Sequence, residues 1–236
     1  MTKKNILIFG ATGSIGRSIV SFLKNNFDVV AVVRSVSDEI EVHENVTSVV
    51  WDVLNHDVLP QKIKNQKIDA ICWAQGVNMN DSIYDFDILK HQNMYNVNCL
   101  LILKSLNLLL KNNNINHSAK MCILSSIWQN IARQNKISYC VTKAAIMGVV
   151  NSLAIDLASK NCLVNAILPG VTETSMTYAN LSQNQIESVK SATCHGRLAS
   201  LNDIAELVSF LCGNANNSIT GQCINIDLGF SNARII

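Results

Sequence analysis

The sequence predicts an α/β protein in which helices cover both faces of a central, mainly parallel sheet of seven strands. Apolar segments of strand length alternate with helical patterns along all 236 residues. The strand segments are continuous apolar runs rather than alternating ones, as in strands buried on both faces. A glycine-rich turn also follows the first strand and opens the first helix. Alternation of this kind gives a doubly wound, three-layer sandwich with right-handed crossovers.

The order of the elements follows from these patterns. The predicted strands lie near residues 5–9, 28–33, 47–51, 68–74, 120–125, 162–168 and 222–227. The predicted helices lie near 14–25, 84–90, 95–113, 138–160 and 202–213, with a short helix also considered near 57–65. The length of the chain suits one domain over residues 1–236. The polar segment at about 171–197, helical around 183–191, is expected to form a mobile lid over a ligand.

The first strand and helix are joined by a turn suited to a nucleotide. The strand NILIF at 5–9 runs into GATGSIGRSIVSFL. Gly10 permits a tight turn, while Gly13 and Gly16 remove side chains where the backbone must approach phosphate or strand. The amides at the helix N-terminus then face an anionic pyrophosphate. The pattern predicts a Rossmann-type nucleotide-binding unit, although its spacing is G-x-x-G-x-x-G rather than G-x-G-x-x-G.

A serine, a tyrosine and a lysine form the candidate catalytic set. Tyr139 follows Ser126 by thirteen residues, and Lys143 follows by four more, so tyrosine and lysine share a face if the segment is helical. A nearby ammonium favours the phenolate and lowers the pKa of a phenol. Tyr139 can then exchange a proton with an alcohol or carbonyl oxygen. The same spacing occurs by chance on helix surfaces, so it needs support from the rest of the chain.

That support comes from five further segments in order: VVAVVRS at 29–35, VVWDVLN at 49–55, IDAICWAQG at 68–76, MCILSS at 121–126 and VNAILPGVTET at 164–174. Together with the glycine turn, Asn98 and the tyrosine–lysine pair, they resemble the single-domain short-chain dehydrogenase/reductase family over essentially the full length. The closing segments GRLASLNDIAELVSFL and ITGQCINIDLG are closest in pattern to the 3-oxoacyl-[acyl-carrier-protein] reductases of that family.

The resemblance implies a nicotinamide-dependent oxidoreductase that interconverts a carbonyl and a secondary alcohol. Tyr139 is then the general acid, Ser126 hydrogen-bonds the carbonyl oxygen, and Lys143 lowers the tyrosine pKa and holds the nicotinamide ribose. Asn98 is expected to hold a water that links Lys143 to solvent. The implied cofactor contacts are Gly10, Thr12, Gly13, Ser14, Ile15, Gly16, Arg34, Ser35, Asp52, Val53, Ala74, Gln75, Gly76, Tyr139, Lys143, Pro169, Gly170, Val171, Thr172 and Thr174.

Two residues depart from the family pattern. Ser14 stands where single-domain members carry the second phosphate-loop glycine, and the glycine spacing resembles that of the larger, extended members. Trp73 stands in the segment that matches the family's Asn-Asn-Ala-Gly turn. We interpret Trp73 as a packing substitution, which leaves the local geometry of the cofactor pocket open.

The end of the second strand predicts NADP(H) in preference to NAD(H). It carries Arg34 rather than an acid that would bond both ribose hydroxyls and repel a 2′-phosphate. A guanidinium can instead pair with that phosphate. Ser35 could add a hydrogen bond, and Arg17 could add charge. The alternative is that Arg34 points to solvent and NAD(H) is used.

The substrate is less well defined. A 3-oxoacyl thioester is the best single candidate, and an acidic carrier protein would find basic side chains in Arg133, Lys136 and Arg197. One alternative is a sugar epimerase or reductase of the extended type, which the glycine spacing suggests. Another is a binding protein that senses the cofactor without turnover, against which the complete catalytic set argues.

Composition excludes several other classes. The formal charge of +2 and the scattered basic residues suggest no nucleic acid or membrane partner. The glycine turn begins so close to Met1 that no leader is expected, which favours a cytoplasmic protein. The eight cysteines form no C-x-x-C pair, so buried free thiols and no metal site are expected. The family resemblance implies a homotetramer, with a dimer as the fallback, and apolar residues on more than one face of the helices at 95–113 and 138–160 support this in part.

Overall fold

The computed structural model describes residues 3–35, 40 and 43–233, which form a seven-stranded, entirely parallel sheet between two layers of helices. The predicted fold class is confirmed. The strands are β1 Lys4–Phe9, β2 Phe27–Val33, β3 Val46–Val50, β4 Ile68–Trp73, β5 Ile115–Leu124, β6 Leu163–Pro169 and β7 Cys223–Ile226. The helices are α1 Ser14–Leu23, α2 Gln61–Lys64, α3 Ile88–Tyr95, α4 Leu101–Lys111, α5 Ile137–Asp156, α6 Ser175–Asn180, α7 Gln183–Ala192 and α8 Leu201–Cys212.

The strand order places a crevice in the middle of the sheet. The order is β3-β2-β1-β4-β5-β6-β7, so the chain starts at β1, moves outward to β3, and returns to β4 on the other side of β1. Connections therefore leave the carboxyl ends of β1 and β4 in opposite directions. Ligands of open α/β sheets bind at such a switch point.

Both faces of the sheet are covered by apolar packing. On one face, Ile102 of α4 and Ile146 of α5 belong to the same buried cluster as Ile71 of β4. On the other face, Ile19 of α1 and Val208 of α8 pack in a cluster with the alternate residues of the strands. The continuous apolar runs of the sequence are explained by this double burial.

The helix predicted at 84–90 is displaced, and that expectation was wrong in position. Asp87 caps the helix instead, its carboxylate accepting from the amides of Leu89 at 3.0 Å and Lys90 at 3.1 Å. From Ile88 the chain stays helical to Lys111, with one wider turn at 96–100 where π-helical bonds replace α-helical ones. Wider turns of this kind are common at functional sites, and this one carries Asn98.

Three other boundaries differ from the sequence expectation. Strand β5 begins at Ile115 rather than near residue 120, and its pairing with β4 shifts register between Ile68 and Ala70. Polar residues in the first half of β5 hid that extension. Helix α2 has only four residues. The lid segment holds two helices, because Thr174 caps a first helix, α6, ahead of the predicted one.

Helix α5 is the one helix of the described chain that is long and apolar enough to cross a bilayer by length and composition. It packs against β6 and the turn after β5, and it buries Lys143 against the sheet. The core helix of a soluble protein passes the same test.

Candidate active site

The glycine turn between β1 and α1 is packed too closely for side chains. Gly10 has a φ of +71°, which L-residues with a Cβ rarely adopt. A Cβ built on Gly16 would lie 2.1 Å from the carbonyl oxygen of Gly10. A Cβ on Gly13 would meet that same oxygen only at 3.6 Å, an ordinary contact. Gly10 and Gly16 are therefore fixed by the fold, whereas Gly13 is not.

The first turn of α1 is built to receive an anion. Its N-cap residue is Gly13, so no side chain accepts hydrogen bonds from the first amides, and no acidic residue lies in the first turn. These amides open onto a cavity of about 450 Å³. Gln75 lines the same cavity, and its buried Oε1 has no hydrogen-bond partner in the part of the chain described. Free amide donors at a helix N-terminus suit a pyrophosphate group, so the residues present fit a dinucleotide.

Most of the predicted cofactor contacts meet in this cavity: Gly10, Thr12, Gly13, Ser14, Ile15, Gly16, Arg34, Asp52, Val53, Ala74, Gln75, Gly76 and Thr174. Ser35 lines a neighbouring cavity with Pro60 and Lys62 instead. The remaining predicted contacts do not line the cavity: Tyr139, Lys143, Pro169, Gly170, Val171 and Thr172. The sequence missed several lining residues that carry no motif: Leu54, Asn55, Val77, Asn93, Val97, Leu101, Ser175 and Met176.

Two charged side chains line this cavity, Arg34 and Asp52. Arg34 is exposed after the end of β2, and Asp52 follows β3, with its carboxylate accepting from the Asn55 side-chain amide at 2.7 Å. Arg17 Nε donates to the carbonyl of Thr12 at 2.9 Å, and the Arg17 side chain lines a different cavity. The expected contribution of Arg17 to cofactor binding stays a prediction.

The four candidate catalytic residues come together at the carboxyl ends of β4 and β5. The Nζ atom of Lys143 lies 5.6 Å from the centre of the Tyr139 ring and donates to the Leu124 carbonyl at 3.0 Å. Ser126 lies close enough to the tyrosine side chain to lower its pKa. Asn98 is buried behind them, with its Oδ1 3.5 Å from the Cβ position of Gly76.

Asn98 acts as a clamp within the protein. Its Oδ1 accepts from the amide of Val77 at 2.9 Å, and its Nδ2 donates to the Val77 carbonyl at 3.1 Å and to Thr142 Oγ1 at 3.0 Å. The asparagine thus ties the strand end after β4 to helix α5 one turn from Tyr139. The expected water link to Lys143 stays a prediction.

Burial dominates the pKa values of Tyr139 and Lys143. Burial raises the pKa of Tyr139 to about 12, and the hydrogen bond from Ser126 opposes that rise. Burial also lowers the pKa of Lys143 to about 8. Desolvation penalises the charged form of each group, so burial dominates both shifts. The expectation that Lys143 lowers the tyrosine pKa stays a prediction.

Trp73 fills the core beneath the site, as the packing interpretation proposed. It is fully buried, stacks on Phe9 with ring centres 6.0 Å apart, and donates from Nε1 to Ser105 Oγ at 2.9 Å. The residues that follow it, Ala74 and Gln75, still line the cavity. The core therefore accommodates Trp73 in place of the usual family residue, and the two cavity residues after it keep their place.

Lys136 is not available for a basic docking patch, and that expectation was wrong. It is 2% exposed, and its ammonium is bonded inside the protein to Asn78, Met79 and Asn180. Arg133 is half-buried and Arg197 is exposed. Nothing in the sequence marks Lys136 as buried, because lysine in a polar loop is normally solvated.

The eight cysteines are all free, and five of them are buried: Cys72, Cys99, Cys122, Cys162 and Cys212. Burial raises the pKa of Cys99 to about 11. The pKa values of Cys122, Cys162 and Cys212 are also raised, with burial among the causes. A packing role is sufficient for the five buried thiols.

A doubly wound sheet, a glycine turn facing a cavity at the switch point, and a tyrosine–lysine pair beside it define a nucleotide-dependent oxidoreductase. The chain belongs to the short-chain dehydrogenase/reductase family, whose model described as enoyl-(acyl carrier protein) reductase matches residues 10–231. Members of this family interconvert carbonyls and alcohols with a nicotinamide cofactor, and this protein is such an enzyme.

Among curated proteins, the chain is similar to the 3-oxoacyl-[acyl-carrier-protein] reductase FabG of Buchnera aphidicola, with 27% identity over 97% of each chain. Among solved structures, it is similar to a short chain dehydrogenase family protein from Francisella tularensis, with a TM-score of 0.85 and 25% identity over 97% of this chain and 99% of that one. The gluconate 5-dehydrogenase of Burkholderia cenocepacia, solved with NADP and tartrate, shares the fold with a TM-score of 0.87 and 17% identity over 99% and 97%.

Proposed function

We propose that this protein is an NADPH-dependent reductase of 3-oxoacyl thioesters. The observation that carries the proposal is the joint placement of Ser126, Tyr139 and Lys143 at the switch-point crevice, beside an uncapped helix that faces the dinucleotide cavity. The near full-length similarity to a 3-oxoacyl-[acyl-carrier-protein] reductase supports the substrate class.

In the proposed mechanism, the protein positions the carbonyl and manages its proton. The bound nicotinamide cofactor supplies the hydride. The Ser126 hydroxyl donates to the carbonyl oxygen and holds it against Tyr139. Because the pKa of Tyr139 is about 12, the phenol is protonated at neutral pH and can donate to the developing alkoxide. Lys143 would orient the tyrosine and donate hydrogen bonds to the ribose hydroxyls of the cofactor.

We also propose a preference for NADPH. Arg34 lines the adenosine end of the cavity, where a guanidinium can pair with a 2′-phosphate in bidentate geometry. No acidic residue stands at that strand end to select the free hydroxyl. Titration of cofactor fluorescence with wild type and Arg34→Ala tests this. We expect Arg34→Ala to weaken NADPH about tenfold or more and NADH by far less. Tighter NADH binding by the wild type would overturn the preference.

The substrate is tested with a panel read at the nicotinamide absorbance. It should contain a 3-oxoacyl thioester, a trans-2-enoyl thioester of the same chain length, an aldose and a simple ketone. We expect NADPH oxidation with the 3-oxoacyl thioester and none with the enoyl thioester. Reduction of the enoyl thioester alone would favour the activity in the matched family's description, and turnover of the aldose alone would favour a sugar enzyme. Cofactor binding without any turnover would support the sensing alternative.

For assembly we propose a homotetramer, with a dimer as the alternative. Exposed apolar side chains on α4 and α5 support it: Leu103 at 38%, Val141 and Met147 at 48%, and Ile155 at 76%. A surface helix of a monomer needs only one apolar stripe. Light scattering at micromolar concentration should give a multiple of the 25.9 kDa chain mass, and a monomer mass would contradict both forms. We further propose one domain over residues 1–236 and a cytoplasmic location.

A further inference from the structure

The lid helix α6 is attached to the rest of the protein at two points. Within residues 3–35, 40 and 43–233, two side-chain hydrogen bonds join α6 to residues outside the lid segment. At its start, Ser175 Oγ lies 3.4 Å from Ser14 Oγ in the glycine turn. At its end, Asn180 Oδ1 accepts from Lys136 Nζ at 3.3 Å. One attachment is on the cofactor side, and the other is on the side of the catalytic helix.

The lysine at the second attachment is fully committed inside the protein. Besides Asn180, its ammonium donates to Asn78 Oδ1 at 2.8 Å and to the Met79 carbonyl at 3.1 Å. An ammonium has three N–H donors, so all of them are used. Lys136 thus joins the lid to the segment after β4 at a point three residues before Tyr139.

The segment after β4 is also attached to helix α5 by contacts that do not involve Lys136. Asp81, in the segment after β4, accepts from the Ser138 amide at 3.2 Å and from the Ser138 hydroxyl. The backbones at Asp81 and Lys136 also pair, with the Ile137 amide donating to the Asp81 carbonyl at 3.3 Å. The wall formed by residues 78–81 therefore stays attached to α5 without the lysine, while the end of α6 does not.

We propose that Lys136 is a positioning residue that fixes the lid helix against the wall at 78–81 and so sets the width of the substrate cleft beside Tyr139. It acts through Asn180 and does not contact the reacting atoms. Loss of the contact should loosen the end of α6 and weaken capture of the carbonyl substrate. The cofactor side, held through Ser14 and Ser175, should be little affected.

Hydrogen exchange on the cofactor-free protein tests the proposal without a substrate, so it can fail or succeed independently of the proposed function. The variants are Lys136→Met, which keeps the length and removes the donors, Lys136→Arg, which keeps donors, and Asn180→Ala, which removes the contact with Lys136 together with the bond from Asn180 Nδ2 to the Met176 carbonyl within α6. We expect faster exchange of residues 175–181 in Lys136→Met and Asn180→Ala, unchanged exchange of residues 141–150, and partial recovery in Lys136→Arg.

Steady-state kinetics, which rest on the proposed reductase activity, give the second readout. Lys136→Met and Asn180→Ala should raise KM for the carbonyl substrate about tenfold, as for loss of a hydrogen bond to a charged group. The kcat and the affinity for NADPH should stay within about twofold. Unchanged lid exchange in Asn180→Ala would overturn the proposal. So would a Lys136→Met variant whose only defect is a lower kcat or a uniform rise in exchange across the protein.

Discussion

The glycine turn and the catalytic helix lie at the same edge of the sheet, yet they are held by different forces. The turn is fixed by close backbone contacts, with the Cβ position of Gly16 only 2.1 Å from a carbonyl oxygen. The start of α5 is fixed by hydrogen bonds among buried polar side chains, among them Asp81, Ser138 and Lys136. Steric contacts tolerate one residue type and leave a clear mark in sequence. Polar networks can be built from many residue combinations and leave little mark.

The largest effect should come from Tyr139→Phe, which keeps the aromatic ring and removes the hydroxyl group that donates the proton in the proposed mechanism. We expect the rate of carbonyl reduction to fall by about 10²–10⁴-fold, the usual contribution of general acid catalysis. NADPH affinity, measured by fluorescence, should stay close to wild type, because the glycine turn is untouched. A variant that reduces substrate at the wild-type rate would falsify the assigned role of Tyr139.

Two variants in the glycine turn between β1 and α1 separate an effect on folding from an effect on cofactor binding. Gly16→Ala places a Cβ 2.1 Å from the Gly10 carbonyl, whereas Gly13→Ala places one at 3.6 Å. We expect Gly16→Ala to lower the free energy of unfolding by several kcal/mol, about 3 as for a severe backbone clash. Gly13→Ala should keep wild-type stability and lose affinity for NADPH, since its methyl group points into the space over the first turn of α1. Urea denaturation and cofactor titration measure the two effects, and equal stability of both variants would contradict the steric account.

The buried hydrogen bond between Trp73 Nε1 and Ser105 Oγ tests how much a polar contact in the core contributes to stability. Ser105→Ala leaves the buried indole N–H without its 2.9 Å partner and should cost about 1–3 kcal/mol. Trp73→Phe in the Ser105→Ala background removes that unpaired donor. The loss of unfolding free energy in the double variant, measured by urea denaturation, should therefore be smaller than the sum of the losses in the two single variants. Trp73→Phe alone measures the cost of the lost ring volume. Strict additivity would mean that the hydrogen bond contributes nothing.

The smallest effect concerns the pH dependence of stability. The pKa of Lys136 falls from 10.5 to about 8 on folding. Between about pH 8 and 10.5 the folded protein thus binds fewer protons at this site than the unfolded chain, so this site makes stability rise with pH there. Other groups titrate in the same range, so the comparison is wild type against Lys136→Met. From pH 8 to 10, we expect the unfolding free energy of Lys136→Met to rise less, or fall more, than that of wild type. Parallel curves of unfolding free energy against pH would contradict a lowered pKa of Lys136 in the folded protein.

Particular residues show how far the sequence reached. The glycine turn, the seven strands and the grouping of Ser126, Tyr139 and Lys143 could be predicted, because each depends on a local pattern or on the rule that parallel strands end at one edge. Arg34 and Asp52, which follow the ends of β2 and β3, line the cavity at this edge, whereas Ser35 lines a neighbouring one. Their contacts with a cofactor stay predictions.

What the sequence by itself determined was the order of the elements and the chemical types at the crevice, both of which follow from periodicity and spacing along the chain. Only the tertiary structure decided that Lys136 lies buried under the lid and that the pKa of Tyr139 rises to about 12. It also decided that a wide helical turn carries Asn98 into contact with Val77. Burial and desolvation depend on which distant segments meet, and no local pattern in the chain encodes that meeting.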